Sequence, residues 1–376
     1  MPFSLYIHIP FCKSKCPYCN FSSIIGSEEL IEQYLKALTI ELDNRLRCIY
    51  SSLPRTIYIG GGTPSIIPSE HINKTVERFM SDNSIEFTVE ANPESIRKSW
   101  LKGILKSGVN RLSIGIQSLD DSILCNLGRL HRAKEAISSI EMAKQAGFSN
   151  ISVDLMFGVP GQTMEIWQKT LEKVIELEPD HVSCYSLGIE DDTKYYTMLR
   201  KGYLKIPDED ETADMYLFMV NRFEKEGFVR YEISNFARRG KECKHNQAYW
   251  NFTPYLGIGA SAHSYDGNMR SWNVTDPGIY INKIVNQNDA TAGKEILDEK
   301  NRICEVVMLS LRTDEGLNIE KIKSLPSENN YTLTSKISSF VESGFMEILE
   351  NGNIRLTKQG AVIANEIILD ILSDIS

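Results

Sequence analysis

The sequence predicts an α/β protein: a parallel sheet of six βα units followed by a smaller α+β unit of winged-helix type. Three observations carry this reading. Six short β-type runs each give way to a segment of helical period between residues 5 and 225. Glycine, carboxylate and amide residues recur where those runs stop. Beyond residue 300 the order changes to helix, hairpin, helix.

The elements follow in order. Leu5-Tyr6-Ile7-His8-Ile9 alternates and ends at Pro10; Leu30, Tyr34, Leu38 and Leu42 then mark a helix over 28–49. Thr56 to Ile59 is cut off by Gly60-Gly61-Gly62, and a helix is predicted from Ser69 to Met80. Glu86 to Glu90 is the third strand, with a helix over 94–106; Arg111 to Gln117 is the fourth, with a helix over 135–145 that stops at Gly147. Ile151 to Leu155 and His181 to Leu187 are the fifth and sixth, followed by helices over 164–177 and 212–225. Such units in series imply parallel strands joined by right-handed crossovers, with the chemistry at the C-terminal strand ends. Those ends carry Gly60 to Pro64, Glu90, Gln117 and Asp154. Near Arg230 the alternation fades into an aromatic- and glycine-rich stretch. Further on, helices over 303–311, 334–342 and 360–372 surround an Asn351-Gly352 hairpin signal.

The length of 376 residues suggests two or three domains, divided here as 1–230, 231–300 (a connecting segment) and 301–376. Lys plus Arg is 41 against 50 Asp plus Glu, a net charge of −9. This disfavours a nucleic-acid partner, which needs a basic face, and favours a packing or partner-binding role for the last unit. No apolar run reaches eighteen residues, and Met1-Pro2-Phe3 enters the first strand without a basic leader. A cytoplasmic location is expected.

Eight cysteines are present, and three of them, Cys12, Cys16 and Cys19, crowd into a C-x3-C-x2-C run after the first strand. In a reduced compartment that cluster reads as metal or redox chemistry before disulfides. Three thiolates from one loop hold three irons of a [4Fe–4S] cluster and leave the fourth open to a ligand. The alternatives are zinc with a distant fourth ligand, or unconnected thiols. Structural zinc usually shows paired C-x2-C knuckles, and no second pair exists.

With Gly60-Gly61-Gly62-Thr63-Pro64 after the second strand, the cysteine run resembles the radical S-adenosylmethionine (SAM) superfamily. That resemblance implies a partial (βα)6 barrel, a [4Fe–4S] cluster on the three cysteines, and SAM on the unique iron. Tyr6-Ile7-His8-Ile9-Pro10-Phe11-Cys12, Glu90-Ala91-Asn92-Pro93-Glu94, Gly115-Ile116-Gln117-Ser118 and the run from Asp154 to Thr163 narrow it. Together they resemble the oxygen-independent coproporphyrinogen III oxidase group, from Tyr6 to the C-terminal end. Within that group the chain is most similar to a haem-chaperone branch. Phe21 stands where the oxidases carry a further cysteine, only two residues precede Phe3, and His245-Asn246-Gln247-Ala248-Tyr249-Trp250 fits the HNxxYW motif linked to haem binding. Asn20 and Ser261 depart from that branch, which usually has Asp and Gly there.

The resemblance also implies site residues. Gly61, Gly62 and Thr63 would meet the methionyl end of SAM; a tight strand-to-loop turn is the alternative reading. Asp154 would take ribose hydroxyls, or else serve as a helix cap or ion-pair partner. Glu90, Gln117 and Arg129 match further SAM contacts, and Tyr6 and Tyr18 match residues flanking cluster and cofactor. His245 would be a haem iron ligand, with Asn246, Tyr249 and Trp250 beside it; the alternative is a histidine satisfied in an aromatic core. The expected function is therefore a haem chaperone carrying a [4Fe–4S] cluster and SAM. Its partners would be haem, acceptor haem proteins and respiratory complexes at the membrane face. The alternative is the anaerobic oxidase itself.

Overall fold

The computed structural model describes residues 3–49, 53–79, 84–318 and 327–373. Its strands are β1 (Ser4–Ile9), β2 (Thr56–Gly61), β3 (Glu86–Ala91), β4 (Arg111–Gln117), β5 (Ile151–Phe157), β6 (His181–Ser186), β7 (Val229–Glu232), β8 (Asn235–Ala237), β9 (Tyr255–Ile258), β10 (His263–Tyr265), β11 (Met269–Asn273), β12 (Thr291–Ile296), β13 (Leu317–Asn318), β14 (Met346–Ile348) and β15 (Asn353–Leu356). The helices are α1 (Glu28–Ile49), α2 (Ser69–Val76), α3 (Lys98–Lys106), α4 (Asp121–Asn126), α5 (Ala133–Ala146), α6 (Met164–Glu176), α7 (Lys194–Arg200), α8 (Glu209–Lys225), α9 (Lys244–Trp250), α10 (Pro277–Gln287), α11 (Glu299–Ser310), α12 (Ser327–Glu342), α13 (Lys358–Val362) and α14 (Ala364–Leu372).

Strands β1 to β6 pair in parallel in chain order, as the six units require. The full sheet runs β12-β11-β10-β9-β1-β2-β3-β4-β5-β6-β8-β7, so its two ends stay apart and the barrel is partial. One face of these strands packs on the helices through a continuous apolar core that includes Leu5, Ile7, Ile57, Val89, Leu112, Ile114, Val153 and Trp167. The inner face is polar, with His8, Thr88, Arg111, Ser113, Ser152, His181 and Ser183 all buried. Buried polar groups must find partners, and this inner face is where they do.

Residues 231–300, which show little periodicity in the sequence, supply most of the sheet's outer strands. Strand β9 pairs in parallel with β1, and β10 to β12 continue antiparallel beyond it. At the far edge β8 pairs antiparallel with β6. These strands are three to six residues long, too short to impose a legible period. A buried carboxylate fastens β9 to β11 on α1: Glu41 accepts from Gly259 N (2.8 Å), Asn273 Nδ2 (2.7 Å) and Tyr280 Oη (2.6 Å).

Small departures have local causes. The second helix stops at Val76 and a 3-10 turn continues to Phe79; the predicted end at Met80 lies outside the described residues. Pro93 starts a separate 3-10 turn, so α3 begins at Lys98 and not at Glu94. Helices α4, α7, α9 and α10 are missing from the sequence reading; the first three, at six or seven residues, are too short to show a helical period, and the 11-residue α10 lies in the stretch read as irregular.

The C-terminal unit has its own sheet, β13-β15-β14, and its own core of Val307, Leu311, Ile337, Met346, Ile354, Leu356, Ile367 and Ile371. Strands β14 and β15 are antiparallel, with Gly352 at φ +80° in their turn, as Asn351-Gly352 predicts. Buried Arg230 joins this unit to the barrel, donating to Asp314 Oδ1 (2.9 Å), Tyr216 Oη (3.2 Å) and Leu356 O (3.3 Å).

Ser261, one of the two departures from the branch pattern, adopts φ +61°, and its hydroxyl is buried without a partner. A left-handed conformation is strained for any residue with a Cβ. Ser261→Gly should raise unfolding stability by about 0.5–1 kcal/mol, once strain relief is set against glycine's greater chain entropy. Urea midpoints check this, and an unchanged or lower midpoint contradicts it.

Candidate functional site

The loop after β1 is stitched to the end of β2. Gly62 N donates to Ile9 O (2.8 Å) and Thr63 N to Phe11 O (2.8 Å). Thr63 Oγ1 lies 3.4 Å from Cys12 Sγ, and Asn92 Nδ2 donates to Thr63 Oγ1 (3.0 Å). The approach is close: a Cβ at Gly62 would stand 2.6 Å from Phe11 O and 2.9 Å from Cys12 Sγ. Glycine is required there because the cysteine loop occupies the space. His8 ties the loop from below. Its Nε2–H donates to Ser22 O (3.2 Å), so its Nδ1 accepts from Tyr6 Oη (2.9 Å).

Cys12, Cys16 and Cys19 are free thiols, each partly exposed, on one cavity of about 410 Å³ at the C-terminal strand ends. Arg129 crosses it, donating to Asn92 Oδ1 (2.7 Å) and Gly115 O (2.9 Å), with Nη1 3.7 Å from Cys16 Sγ. Gly115 is needed for this crossing, since a Cβ there would stand 2.9 Å from both Asn92 Oδ1 and Gln117 Nε2. Gln117 ends β4 at φ +64°, a strained conformation for a non-glycine residue and of the kind that clusters at functional sites.

Two carboxyls face the same space. Glu90 accepts from Tyr58 Oη (2.8 Å) and Gly61 N (3.1 Å), and burial pushes its pKa up to about 7. Asp154 accepts from Ser113 Oγ (3.1 Å), and burial raises its pKa as well. Both are poised to gain donors from a ligand. The structure thus gathers Cys12, Cys16, Cys19, Tyr18, Gly61, Gly62, Thr63, Glu90, Gln117, Arg129 and Asp154 around one cavity. Tyr6 does not line it. Its ring lies 6.2 Å from that of Tyr58 and 6.3 Å from that of His245, one layer deeper.

Residues 6–174 match the Radical SAM superfamily. The whole chain is 35% identical over 370 residues to the heme chaperone HemW of Bacillus subtilis, covering 97% of each chain. It is 37% identical to the heme chaperone HemW of Lactococcus lactis, covering 86% of this chain and 85% of that one. The chain belongs to the HemW family of radical SAM proteins. Among solved structures, coproporphyrinogen III oxidase (HemN) of Escherichia coli superposes with a TM-score of 0.84 at 23% identity. That match covers 98% of this chain and 90% of the oxidase, and it shows a shared fold.

The residues present fit the cofactors of this superfamily. Three thiols open onto one cavity, and the glycine cradle is shut against their loop. Cys12, Cys16 and Cys19 would hold the cluster, and Glu90, Gln117, Arg129 and Asp154 would surround SAM. Loaded, the cluster supplies an iron site open to a chelating ligand.

The His245–Trp250 motif lies at the opposite end of the barrel from the cysteine loop. Helix α9 plugs the N-terminal end of the barrel, where Glu86, at the start of β3, accepts from Lys244 N and His245 N (3.1 Å each). His245 is 1% exposed. Its Nδ1 pairs with Thr56 Oγ1 (2.8 Å) and its Nε2 with Tyr249 Oη (3.0 Å). Both ring nitrogens are thus engaged within an aromatic floor, as the alternative reading of a satisfied core histidine describes. Asn246 lines the cavity, Tyr249 secures His245, and Trp250 is partly exposed with a buried, unpartnered Nε1.

Several residues that build the site were not picked out in the sequence: Tyr58, Asn92, Arg111 and Ser183. Arg111 carries the clearest signal, a charge opening an otherwise apolar strand run.

Two outcomes follow. Gly62→Val should abolish the cluster, because its side chain displaces Cys12, whereas Asp154→Asn should retain it. Iron and sulfide assays after anaerobic reconstitution test both, and full iron content in Gly62→Val contradicts the stitched loop. The second concerns pH. Burial lowers the His245 pKa to about 3, so between pH 6.5 and 3 the unfolded chain binds the proton and stability falls as pH falls. The stability gap between wild type and His245→Asn should shrink by about 1.4 kcal/mol per unit from pH 6 to pH 4. Urea titrations giving a constant gap contradict the buried imidazole.

Proposed function

We propose that the chain binds haem and delivers it to acceptor haem proteins, with a [4Fe–4S] cluster on Cys12, Cys16 and Cys19 and SAM beside it. The observation that carries this reading is full-length similarity: 35% identity over 97% of both chains to a relative named as a heme chaperone. The cavity supports it, since the thiols and the strand-end carboxyls share one space.

The net charge of −9 argues against a nucleic-acid partner. No helix among the described residues is long and apolar enough to cross a membrane. We place the chain in the cytoplasm, with acceptors that include respiratory complexes at the membrane face.

Haem coordination by His245 would require the imidazole to exchange Thr56 or Tyr249 for iron, and so to loosen α9 from the barrel floor. Substitution at His245 therefore perturbs the fold as well as any iron ligand. The decisive experiment is a haem titration of the purified chain, with and without the reconstituted cluster, beside an anaerobic coproporphyrinogen turnover assay. Saturable binding of about one haem per chain, cluster present or absent, with no protoporphyrinogen formed, is expected. Catalytic protoporphyrinogen formation without saturable haem binding overturns the reading in favour of the oxidase.

A further inference from the structure

Arg111 opens β4 and lies inside the barrel, 2% exposed and lining the cavity. Among the described residues no hydrogen bond or ion pair engages its guanidinium, and its Nε is buried without a partner. A guanidinium carries five donors and no acceptor, and burying it unpaired is costly. Arg129, in the same cavity, also has an unpartnered Nε, but its Nη2 finds both Asn92 and Gly115.

The acidic groups around Arg111 are engaged elsewhere. Glu90 takes Tyr58 and Gly61, and Asp154 takes Ser113. Glu86 takes the backbone of Lys244 and His245. Glu86 and the other acidic groups act on the guanidinium through space, but among the described residues none gives its fork a hydrogen-bond acceptor, and it faces the cavity. Neutral groups share that part of the wall: the Ser113 and Ser183 hydroxyls and the Asn246 amide line the same space. Arg111 and Gln117 are the first and last residues of β4, about 20 Å apart at the rise of a strand. The guanidinium thus sits on the floor side, away from the strand ends that Gln117 and Arg129 occupy.

We propose that the barrel floor is a carboxylate-recognition site, in which the planar fork of Arg111 takes the carboxylate of a ligand filling the cavity and Asn246 and Ser183 complete its surroundings. A planar guanidinium matches a carboxylate in a bidentate pair, which a point-charge ammonium does not reproduce. The site gives the α9 motif a role in ligand recognition through Asn246, while His245 stays in the floor. On the proposed haem-binding reading, the ligand that brings a carboxylate to the floor is a haem bearing propionates, since the SAM carboxylate would go to the cluster iron at the strand ends.

Isothermal titration of wild type, Arg111→Lys and Arg111→Met, anaerobically reconstituted, with haem, haem dimethyl ester and SAM reads the site. Arg111→Lys keeps the charge and loses the fork, so the ligand that docks here should weaken about tenfold or more, and further in Arg111→Met. Weakened haem with unchanged dimethyl ester assigns the floor to a propionate. Weakened SAM with both porphyrins unchanged overturns the propionate assignment. Wild-type affinity for haem and SAM in both variants overturns the proposal. An equal loss for haem, its ester and SAM also overturns it, since Arg111 then only holds the barrel together. Should neither variant fold, sodium acetate on the wild type decides. Competition with haem beyond that of equal sodium chloride supports a carboxylate site, and its absence overturns one.

Discussion

The structure depends on one close approach. The loop after β1 lies against the glycine run after β2 so tightly that Gly62 has no room for a Cβ, with Cys12 Sγ and Phe11 O where one would stand. Two backbone hydrogen bonds, from Gly62 to Ile9 and from Thr63 to Phe11, close that contact. Everything the site does follows from it. The cysteine loop is held at the strand ends by this backbone contact, with Thr63 against Cys12 Sγ and Arg129 against Cys16 Sγ beside it. The glycines have a structural duty to the cysteine loop that precedes any duty to a ligand.

The second constraint is electrostatic. A partial barrel with a polar lining must place charge where water is scarce, and this one divides the charge by depth. At the strand ends Glu90 and Asp154 are hydrogen-bonded yet pushed toward protonation by burial. On the floor, α9 closes the N-terminal end with Glu86 on its backbone and a neutral imidazole, its pKa lowered to about 3, among tyrosines. Between the two, Arg111 is a buried cation with no hydrogen-bond acceptor among the described residues. A ligand that fills the cavity would give that guanidinium its acceptor.

Much of this was legible in the sequence. The six parallel units stood out because their strands are buried on regular period-2 runs and their helices are long. The cavity residues stood out because glycine, carboxylate and amide side chains recur at strand ends, where apolar residues would otherwise continue. The outer strands from β7 to β12 did not, because each is only three to six residues long and set among aromatics that serve both core and edge. The hydrogen bonds of His245 were not legible in the sequence, for a physical reason. A motif gives residue types and spacing, whereas a free ring nitrogen depends on Thr56, 189 positions away in the chain. Arg111 was overlooked because strand patterning treats a lone charge as solvent-facing, and only the fold shows that this strand has no solvent face.

The cysteine loop and the strand-end carboxyls line a single cavity, in which a cluster on Cys12, Cys16 and Cys19 would keep one iron open to SAM. Pulsed electron–nuclear double resonance on the reduced, reconstituted protein, with SAM labelled at its amino nitrogen and carboxylate oxygen, tests it most directly. The account predicts magnetic coupling of both labels to the cluster in wild type. Uncoupled labels at saturating SAM, on a protein holding its full complement of iron, would contradict it.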